Sequence, residues 1–487
     1  MSDPGQLLTL NVRGGARICV PADINQITTY ILLEQEDWFE DEIRFVRRWL
    51  RPGMRAVDVG ASYGIYTAAM ASAVGGTGRV WAFEPTPRVA DCLQRGLDLD
   101  GAGHVVVTRS AVSGTSGTLA FAAGDNSELN AVGTTGAVLQ VPSVTLDQMS
   151  AEQGWQDVDF VKLDVEGHEL EAIRGGAAFF QAASPLVMLE VKAGNRFDLR
   201  ALDLLLENGY DAYRMLPGPL MLVPFDRHDP VDEFLLNLFA CKQARARELA
   251  AAGFLASLDA PPGSARAAKA AWADYAASAP YARAFAASWR PRAGLFAGSD
   301  VVTYFEGLSA FAQSRHAAMA PAERVAWLQR ALQCVADAIE VDATPARQLS
   351  YGRIAAELGW RDAAASCLVR AFEMTKGTDM QSLREPFIAP SERYERVDAG
   401  TDPAGWLTCA ALEQYEKLRY YSSLFADKSS LEVLAPIGDL PYRSAEVDRR
   451  RNLVCKRHGM PAASGASPLL LAGSEENLNP QYWGAQR

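Results

Sequence analysis

The first half of the chain changes repeatedly between two hydrophobic patterns. Short, almost continuous apolar runs alternate with segments whose apolar residues recur at helical spacing, which is typical of a parallel sheet covered by helices on both faces. The apolar runs lie at residues 55–60, 79–85, 104–112, 159–167, 186–191, 209–216 and 234–242. Between the last two lies a loop that contains Pro and Asp but no helical pattern, which predicts an antiparallel hairpin that completes a seven-stranded sheet.

Two elements precede this α/β unit. Apolar runs on both sides of the Arg-Gly-Gly sequence at residues 13–15 predict a β-hairpin over residues 7–20, because Gly-Gly accommodates the positive φ angles of a tight turn. Residues 39–50 carry apolar side chains at helical spacing and are followed by Pro-Gly at residues 52–53. We therefore expect a helix that ends at this Pro-Gly pair.

The composition becomes Ala-rich and helical in pattern in the second half of the chain, where strand-like runs are scarce. Residues 350–377 resemble a tetratricopeptide-type helix pair, although a generic helical bundle explains the same pattern because repeat arrays usually need three or more units. The predicted parts are an α/β domain with its N-terminal hairpin at residues 1–242, an Ala-rich helical connector at 243–300, and an all-α, tetratricopeptide-like domain with an irregular C-terminal tail at 301–487.

Charge and composition argue against several kinds of partner. The formal net charge of −12 repels phosphate backbones and anionic lipid headgroups, so nucleic acid is not the expected partner. No stretch reaches the ~18 apolar residues that a membrane span needs, and the N-terminus lacks the pattern of a signal peptide. The seven cysteines are scattered and show no C-x-x-C spacing, which disfavours disulfides and zinc and favours a reduced, cytoplasmic protein.

The run VDVGASYGIYT at residues 57–67 has the form of a strand, a loop of small residues and a helix, which presents backbone N–H groups to a ligand. Ser62 stands where a dinucleotide-binding loop needs glycine to approach a pyrophosphate, so a ligand without pyrophosphate fits better. Asp58 offers a carboxylate to an amino group, and Glu84, at the end of the next strand, can bind two ribose hydroxyls. Adenosine joined to an amino acid is S-adenosylmethionine.

Further residues belong to this expected cofactor site. Ser110 closes the strand where adenine would lie, although a serine at a strand end also forms turns. Trp38, Phe39 and Tyr63 can wall the pocket or belong to the core. The expected cofactor-binding residues are Asp58, Gly60, Ser62, Tyr63, Gly64, Glu84 and Ser110.

The chain resembles the FkbM family of S-adenosylmethionine-dependent methyltransferases. The resemblance covers roughly residues 7–240 and rests on VDVGASYGIYT, FEPTP, AVSGTSG, VTLDQM, DFVKLDVEGHELEAIRGG and LVMLEV. It implies a Rossmann-like α/β fold with seven strands, the last antiparallel, and O-methylation, commonly of a sugar hydroxyl in a glycan or a natural product. Ser62 departs from the asparagine that is more usual in this loop.

Three polar residues, Asp164, Glu166 and His168, follow the apolar strand FVKL. Because ligands of open α/β sheets lie beyond the carboxyl ends of the strands, we expect these side chains to point toward the transferring methyl group. His168 is the preferred general base, since its ordinary pKa lies nearest neutrality. Two alternatives stay open: Glu166 caps the next helix while Asp164 fixes the turn, or Asp164 and Glu190 share a magnesium ion, which we rank behind a metal-free mechanism.

The sequence leaves three functions open: an O-methyltransferase, an NAD-dependent oxidoreductase, and a helical interaction or scaffold protein with a degenerate methyltransferase domain. The missing middle glycine counts against the second, and the retained Asp58, Glu84 and DVEGHE count against the third. The helical half is expected to govern recognition of a small-molecule or glycan acceptor, or assembly with a second copy or a protein partner. Its basic cluster at residues 448–459 either binds an anionic acceptor or forms a solvated face or an interdomain salt-bridge patch.

Overall fold

The computed structural model describes residues 6–123, 131–132, 137–193, 196–228, 230–258, 268–289, 299–316, 318–376, 383–461 and 467–484. The strands are β1 (Leu7–Asn11), β2 (Arg17–Pro21), β3 (Arg55–Val59), β4 (Arg79–Phe83), β5 (Val105–Thr108), β6 (Ala111–Val112), β7 (Gly117–Ala123), β8 (Ala131–Val132), β9 (Ala137–Val144), β10 (Phe160–Leu163), β11 (Leu186–Glu190), β12 (Lys192–Ala193), β13 (Arg196–Phe197), β14 (Asp211–Leu216), β15 (Met221–Pro224) and β16 (Asn237–Cys241).

The helices of the first half are α1 (Ile27–Gln35), α2 (Glu42–Trp49), α3 (Ile65–Val74), α4 (Pro87–Asp100), α5 (Leu146–Gln153), α6 (Glu169–Arg174), α7 (Ala177–Ala182), α8 (Arg200–Glu207) and α9 (Gln243–Ala251). Those of the second half are α10 (Ala268–Ser278), α11 (Ala282–Phe285), α12 (Ser299–Ser314), α13 (Pro321–Val341), α14 (Pro345–Glu357), α15 (Arg361–Thr375), α16 (Glu392–Arg396), α17 (Pro403–Arg419), α18 (Ser423–Ala426), α19 (Lys428–Leu434), α20 (Ala445–Arg457), α21 (Pro468–Leu471) and α22 (Pro480–Gly484). The predicted change from an α/β half to a helical half is confirmed.

The main sheet has eight strands, in the order β15-β14-β16-β11-β10-β3-β4-β5. The strands from β11 to β5 in this order are parallel, and β16 is antiparallel to both of its neighbours, so the predicted pairing of the last two apolar runs is confirmed. The prediction of seven strands is wrong, because β15 adds an eighth strand at the edge beside β14. This strand has four residues and directly follows a Pro-Gly-Pro turn, which leaves too short a pattern to recognise in the sequence.

Both faces of the sheet are covered, which explains why its strands are apolar at nearly every position. In β3, Val57 and Val59 belong to one core cluster, whereas Ala56 belongs to another. In β4, Phe83 belongs to the same cluster as Val57 and Val59, and Val80 belongs to the same cluster as Ala56. Since successive strand residues point to opposite faces, the two clusters are the helix-covered layers on either side of the sheet.

The elements before the sheet also follow the prediction closely. The hairpin is formed by β1 and β2, and its turn contains Gly14 and Gly15, both at positive φ. The predicted helix is α2, but it begins after Phe39 and ends before Pro52. A further sheet of four strands, in the order β6-β9-β7-β8, was not predicted.

Residues 350–377 contain a helix pair, as predicted, formed by α14 and α15. Gly352 lies at their contact, where an added Cβ would be 3.2 Å from the carbonyl oxygen of Ala364 and from Cγ of Leu368. The pair is therefore closely packed because a residue without a side chain stands at the crossing. The tetratricopeptide-like character and the division of the chain at residues 242 and 300 stay predictions.

Two general expectations concern membranes and cysteines. Among the described helices, none combines the length and the apolar character needed to cross a bilayer. The seven cysteines are free and buried, where they act as small apolar side chains.

Hydrophobic packing joins the two halves of the chain. Leu216 and Met221, at the edge of the main sheet, belong to the core cluster that holds most of the helical half. Conversely, Leu453 and Trp483, near the C-terminus, belong to a core cluster of the α/β half. The C-terminal elements therefore pack back onto the N-terminal part of the chain.

Buried charges join the halves as well. Arg450 of α20 lies 3.3 Å from a carboxylate oxygen of Glu34 in α1 and 2.5 Å from one of Glu416 in α17. Arg449 donates to the backbone carbonyl of Glu34 at 2.6 Å and lies 3.6 Å from the carboxylate of Glu36. These side chains are almost fully buried. At these two arginines the basic cluster is the interdomain salt-bridge patch that the sequence left as an alternative.

The carboxylate of Glu34 also positions the start of α18. The backbone N–H of Ser423 donates to Oε2 of Glu34 at 3.0 Å, and the Ser423 hydroxyl also donates to this carboxylate. The hydroxyl of Tyr30 lies 2.9 Å from the Ser423 oxygen. Helix α1 therefore holds one short segment of the helical half in a defined position.

We predict that Arg450→Met lowers the free energy of unfolding by about 3–5 kcal/mol, because it leaves Glu34 and Glu416 buried without their cation. Urea denaturation followed by circular dichroism measures this change. Arg330→Met is the matched control, since Arg330 pairs with Glu306 at the surface and its loss should cost less than about 1 kcal/mol. Equal losses in the two variants would contradict the structural importance of the buried network.

Candidate active site

Two glycines shape the loop between β3 and α3. Gly60 and Gly64 have φ angles of 82° and 88°, which glycine adopts without strain. A Cβ at Gly60 would overlap the backbone carbonyl of Asp164, and one at Gly64 would overlap the side chain of Leu93. Ser62 has a φ of 47°, a conformation that asparagine tolerates better than serine. One side of the loop therefore packs tightly against Asp164 and Leu93, and its other side lines a cavity.

Glu84, which follows β4, stabilises this loop through hydrogen bonds to backbone N–H groups. Its Oε2 accepts the backbone N–H of Ser62 at 3.0 Å, and its Oε1 accepts that of Thr86 at 2.7 Å. Burial raises the pKa of Glu84 above its ordinary value, while the hydrogen bonds from Thr86 and Ser62 oppose the shift. A carboxylate oxygen accepts more than one hydrogen bond, so Glu84 can hold the loop and also bind a ligand hydroxyl.

Asp58 lies behind the loop and is fully buried. Its Oδ2 accepts a hydrogen bond from Thr67 at 2.6 Å, and its Oδ1 lies 4.0 Å from Nζ of Lys162 without a hydrogen-bond partner. Lys162 also donates to Asp164 at 2.8 Å. Burial alone would lower the pKa of Lys162, but Asp164 and Asp58 outweigh it and raise the pKa. Lys162 is therefore a fixed cation between two carboxylates.

The loop that follows β10 turns sharply, with φ angles of 52° at Glu166 and 88° at Gly167. Glu169 stabilises this turn, because its Oε1 accepts the backbone N–H groups of Val165 at 3.0 Å and of Gly167 at 3.2 Å. Glu166 is exposed and lines the cavity. The turn-stabilising role that the sequence assigned to Asp164 as an alternative to catalysis is thus filled by Glu169, and helix capping by Glu166 stays a prediction.

His168 stands between this turn and α6. Its Nε2 lies 2.9 Å from the hydroxyl oxygen of Ser113. Burial lowers the pKa of His168 below its ordinary value of 6.5, although Glu171 opposes the shift. The imidazole is therefore neutral at neutral pH, which is the state in which it can accept a proton.

Carboxyl groups are concentrated opposite the glycine loop. Glu40 accepts a hydrogen bond from the hydroxyl of Tyr66 at 2.7 Å, and burial together with Asp164 raises the pKa of Glu40. Burial and the neighbouring Asp164 and Glu166 raise the pKa of Glu190, at the end of β11, to about 10. Glu190 is therefore protonated and uncharged at neutral pH.

These groups face one cavity of about 640 Å³. The predicted site residues in its lining are Gly60, Ser62, Tyr63, Glu84, Ser110, Asp164, Glu166, His168 and Glu190. Trp38 and Phe39 line it too, whereas Asp58 and Gly64 lie outside the lining. The structure brings the predicted cofactor loop and the predicted catalytic loop together around one space, and the individual roles of these residues stay predictions.

Sequence reasoning missed part of the cavity wall. Lys162 is a charged residue inside an apolar strand, a signal that could have identified it. Arg419, Tyr420, Tyr421 and Phe425 of the helical half also line the cavity. The run EQYEKLRYYSSLF at residues 413–425 is rich in aromatic residues and offers contact chemistry, but only the tertiary fold brings it to this cavity.

The magnesium alternative stays a hypothesis. Asp164 and Glu190 both line the cavity. Within the described ranges, however, no group of three or more His, Cys, Asp or Glu side chains is arranged to hold a metal ion.

Known proteins match the α/β half of the chain. Residues 58–212 match the family model of the methyltransferase FkbM domain. The hexuronic acid methyltransferase AglP of Haloferax volcanii is 30% identical over 141 residues, which are 28% of this chain and 55% of AglP. The chain thus spans about half the length of this curated relative.

Solved structures of methyltransferases are similar to the chain at low TM-scores. Methyltransferase FkbM from Methylobacillus flagellatus KT has a TM-score of 0.28 and 20% identity, covering 45% of this chain and 55% of that one. A SAM-dependent O-methyltransferase from Thermotoga maritima has a TM-score of 0.25 and 16% identity, covering 50% and 94% of the two chains. A SAM-dependent methyltransferase from Aquifex aeolicus has a TM-score of 0.25 and 17% identity, covering 43% and 91%.

We predict that Gly60→Ala destabilises the protein by more than about 3 kcal/mol, because the new Cβ overlaps Asp164 at a positive φ. Gly15→Ala is the matched control: its φ is 86°, but nothing lies within 4 Å of the added Cβ, so only the backbone strain of about 1–2 kcal/mol is expected. Urea denaturation compares the two variants. Equal destabilisation would show that the close approach between the two loops has no energetic weight.

Proposed function

We propose that this chain, whose residues 58–212 form an FkbM methyltransferase domain, uses S-adenosylmethionine to methylate a hydroxyl group of a sugar, a glycan or a natural product. The observation that carries the proposal is the single cavity shared by the glycine loop, Glu84 and the loop of Asp164 and His168. The name of the Haloferax volcanii relative supports a sugar acceptor.

The residues of the first loop fit this cofactor. Gly60 keeps the loop close to the neighbouring strand end, and Ser62 and Tyr63 face the cavity. Glu84 is placed to accept hydrogen bonds from the ribose hydroxyls, and Ser110 lies in the lining where adenine is expected. Bound S-adenosylmethionine supplies an electrophilic methyl group to the acceptor oxygen.

The second loop is suited to removing the proton of the acceptor hydroxyl. His168 is the preferred base, since its imidazole is neutral and faces the cavity. Lys162 holds the carboxylate of Asp164 in place through a 2.8 Å hydrogen bond, so Asp164 can orient the acceptor hydroxyl. Correct alignment of the acceptor oxygen is the second contribution of these residues, because methyl transfer is an in-line displacement.

A thermal-shift experiment tests the cofactor class directly, because a ligand that binds the folded state raises the melting temperature. S-adenosylmethionine or S-adenosylhomocysteine should raise the melting temperature of the full chain, and NAD should not. A shift with NAD alone would favour the oxidoreductase. No shift with any of these ligands would favour the scaffold with a degenerate domain.

We predict that Glu84→Ala weakens S-adenosylmethionine binding by about 1.5–3 kcal/mol, the scale of hydrogen bonds lost from a charged acceptor. Isothermal titration calorimetry measures the dissociation constant. Glu248→Ala is the control, because its side chain is 65% exposed and lies outside the cavity lining. An unchanged affinity in Glu84→Ala would reject the ribose contact.

His168→Ala should lower kcat by about 10²–10⁴ and leave cofactor affinity nearly unchanged, because the imidazole acts on the acceptor proton. In the unmodified protein, kcat/KM should fall at acid pH as the imidazole gains a proton, and the lowered pKa of His168 places this fall at a lower pH than for an ordinary imidazole. His228→Ala, at an exposed site outside the cavity, is the matched control. Full activity of His168→Ala would exclude it as the base.

Glu190→Gln separates the metal-free mechanism from the magnesium alternative. Glutamine resembles a protonated carboxyl, so activity should stay within about tenfold of the unmodified protein if Glu190 is uncharged. A magnesium ligand must be ionised, so this substitution, like treatment with EDTA, would then abolish activity.

A further inference from the structure

The helical half gives the cavity an aromatic wall. Phe425 is 54% exposed yet lies in the cavity lining, so its ring is available to a ligand. Its centroid is 6.3 Å from that of Phe39, which in turn lies 5.2 Å from that of Tyr421. Phe234 adds a ring 5.7 Å from Tyr421. The rings form a continuous aromatic strip, which we call the aromatic wall (Phe39, Phe234, Tyr421 and Phe425).

Both halves of the chain fix the position of this wall. The hydroxyl of Tyr421 donates to the backbone carbonyl of Phe234, and the guanidinium carbon of Arg361 lies 3.7 Å from the centre of the Tyr421 ring. The backbone carbonyl of Tyr421 accepts a hydrogen bond from Gln35 at 2.7 Å. The wall is therefore part of the folded protein before a ligand arrives, which lowers the entropic cost of binding.

The charges around the cavity disfavour an anionic ligand. Its acidic lining residues are Glu40, Glu84, Asp164, Glu166 and Glu190, and its basic ones are Lys162, Lys192 and Arg419. Each of these cations already has a partner: Lys162 binds Asp164, Lys192 donates to the carbonyl of Glu233, and Arg419 lies 3.6 Å from the carboxylate of Glu233. Glu190 itself adds no negative charge, because burial and its acidic neighbours raise its pKa to about 10.

We propose that the aromatic wall is the acceptor subsite and that it takes an uncharged, hydroxylated sugar ring. This inference rests on the proposed function and narrows its acceptor class. The apolar face of a sugar ring can lie on Phe39 and Phe425, while its hydroxyl groups donate to the carboxylates of Asp164 and Glu166. A hexuronic acid would bring its own carboxylate into this acidic space, where Lys162 and Arg419 already pair with carboxylates and Lys192 is bound to a backbone carbonyl.

The test uses the full chain saturated with S-adenosylhomocysteine and two matched probes, methyl glucoside and methyl glucuronoside, which differ at the carboxylate. We expect calorimetry or saturation-transfer NMR to show that the glucoside binds at least about tenfold more tightly. Equal or tighter binding of the glucuronoside would overturn the charge argument. Failure of both sugars to bind would overturn the sugar subsite.

Variants test the wall itself. Phe425→Ala should weaken glucoside binding about fivefold or more and leave the affinity for S-adenosylhomocysteine within about twofold, whereas Phe425→Tyr, which keeps the ring, should retain binding. Met374→Ala is the control, because Met374 is exposed in the same helical half and outside the lining. Unchanged glucoside affinity in Phe425→Ala would remove this ring from the subsite. If S-adenosylhomocysteine itself does not bind, the proposed function fails and the inference fails with it; if it binds and the sugars do not, only the inference fails.

Discussion

The buried contact of Arg450 with Glu34 and Glu416 is the constraint on which the arrangement of the two halves depends. A single guanidinium pairs with carboxylates from both α1 and α17, so neither helix can move away without leaving an acidic side chain buried and without its cation. Such a network does not add much net stability relative to an apolar contact, but it accepts only one geometry. The hydrophobic clusters that contain residues of both halves bury apolar surface between them, and the ion network fixes the positions of the contacting helices.

The contact between Arg450 and Glu34 also determines the position of part of the cavity wall, through Ser423. The Glu34 carboxylate that pairs with Arg450 also binds the backbone N–H of Ser423, which places the beginning of α18 beside α1. Tyr421 and Phe425 stand on either side of that serine and line the cavity. The part of the cavity formed by the glycine loop and Glu84 belongs to the α/β half, whereas the part formed by Tyr421 and Phe425 depends on a long-range contact.

The parts of the fold that were predictable are those that depend on local patterning. The parallel strands could be read because burial on both faces makes them continuously apolar, and the glycine loop could be read because Gly60 and Gly64 need positive φ angles. The eighth strand was missed because four residues behind a turn carry too little pattern. The role of Glu169 was missed because several acids in one short loop are equivalent in sequence, and only the φ angles at Glu166 and Gly167 decide which one reaches the backbone.

The aromatic wall shows the limit of sequence reasoning more clearly: the aromatic run that contains Tyr421 and Phe425 is visible in the sequence, but its position at the cavity follows only from the tertiary fold.

The charges of the site show what the tertiary structure adds. A cavity lined by several carboxylates is unfavourable by itself, and the protein lowers the cost by three separate means. Lys162 compensates Asp58 and Asp164, burial holds Glu190 protonated, and the hydroxyl of Tyr66 donates to Glu40. The space that remains is lined by carboxylates and by the neutral imidazole of His168. This arrangement supports the proposed transfer of a methyl group from a sulfonium to a hydroxyl, because carboxylates favour a cationic ligand group and a neutral imidazole can accept the hydroxyl proton.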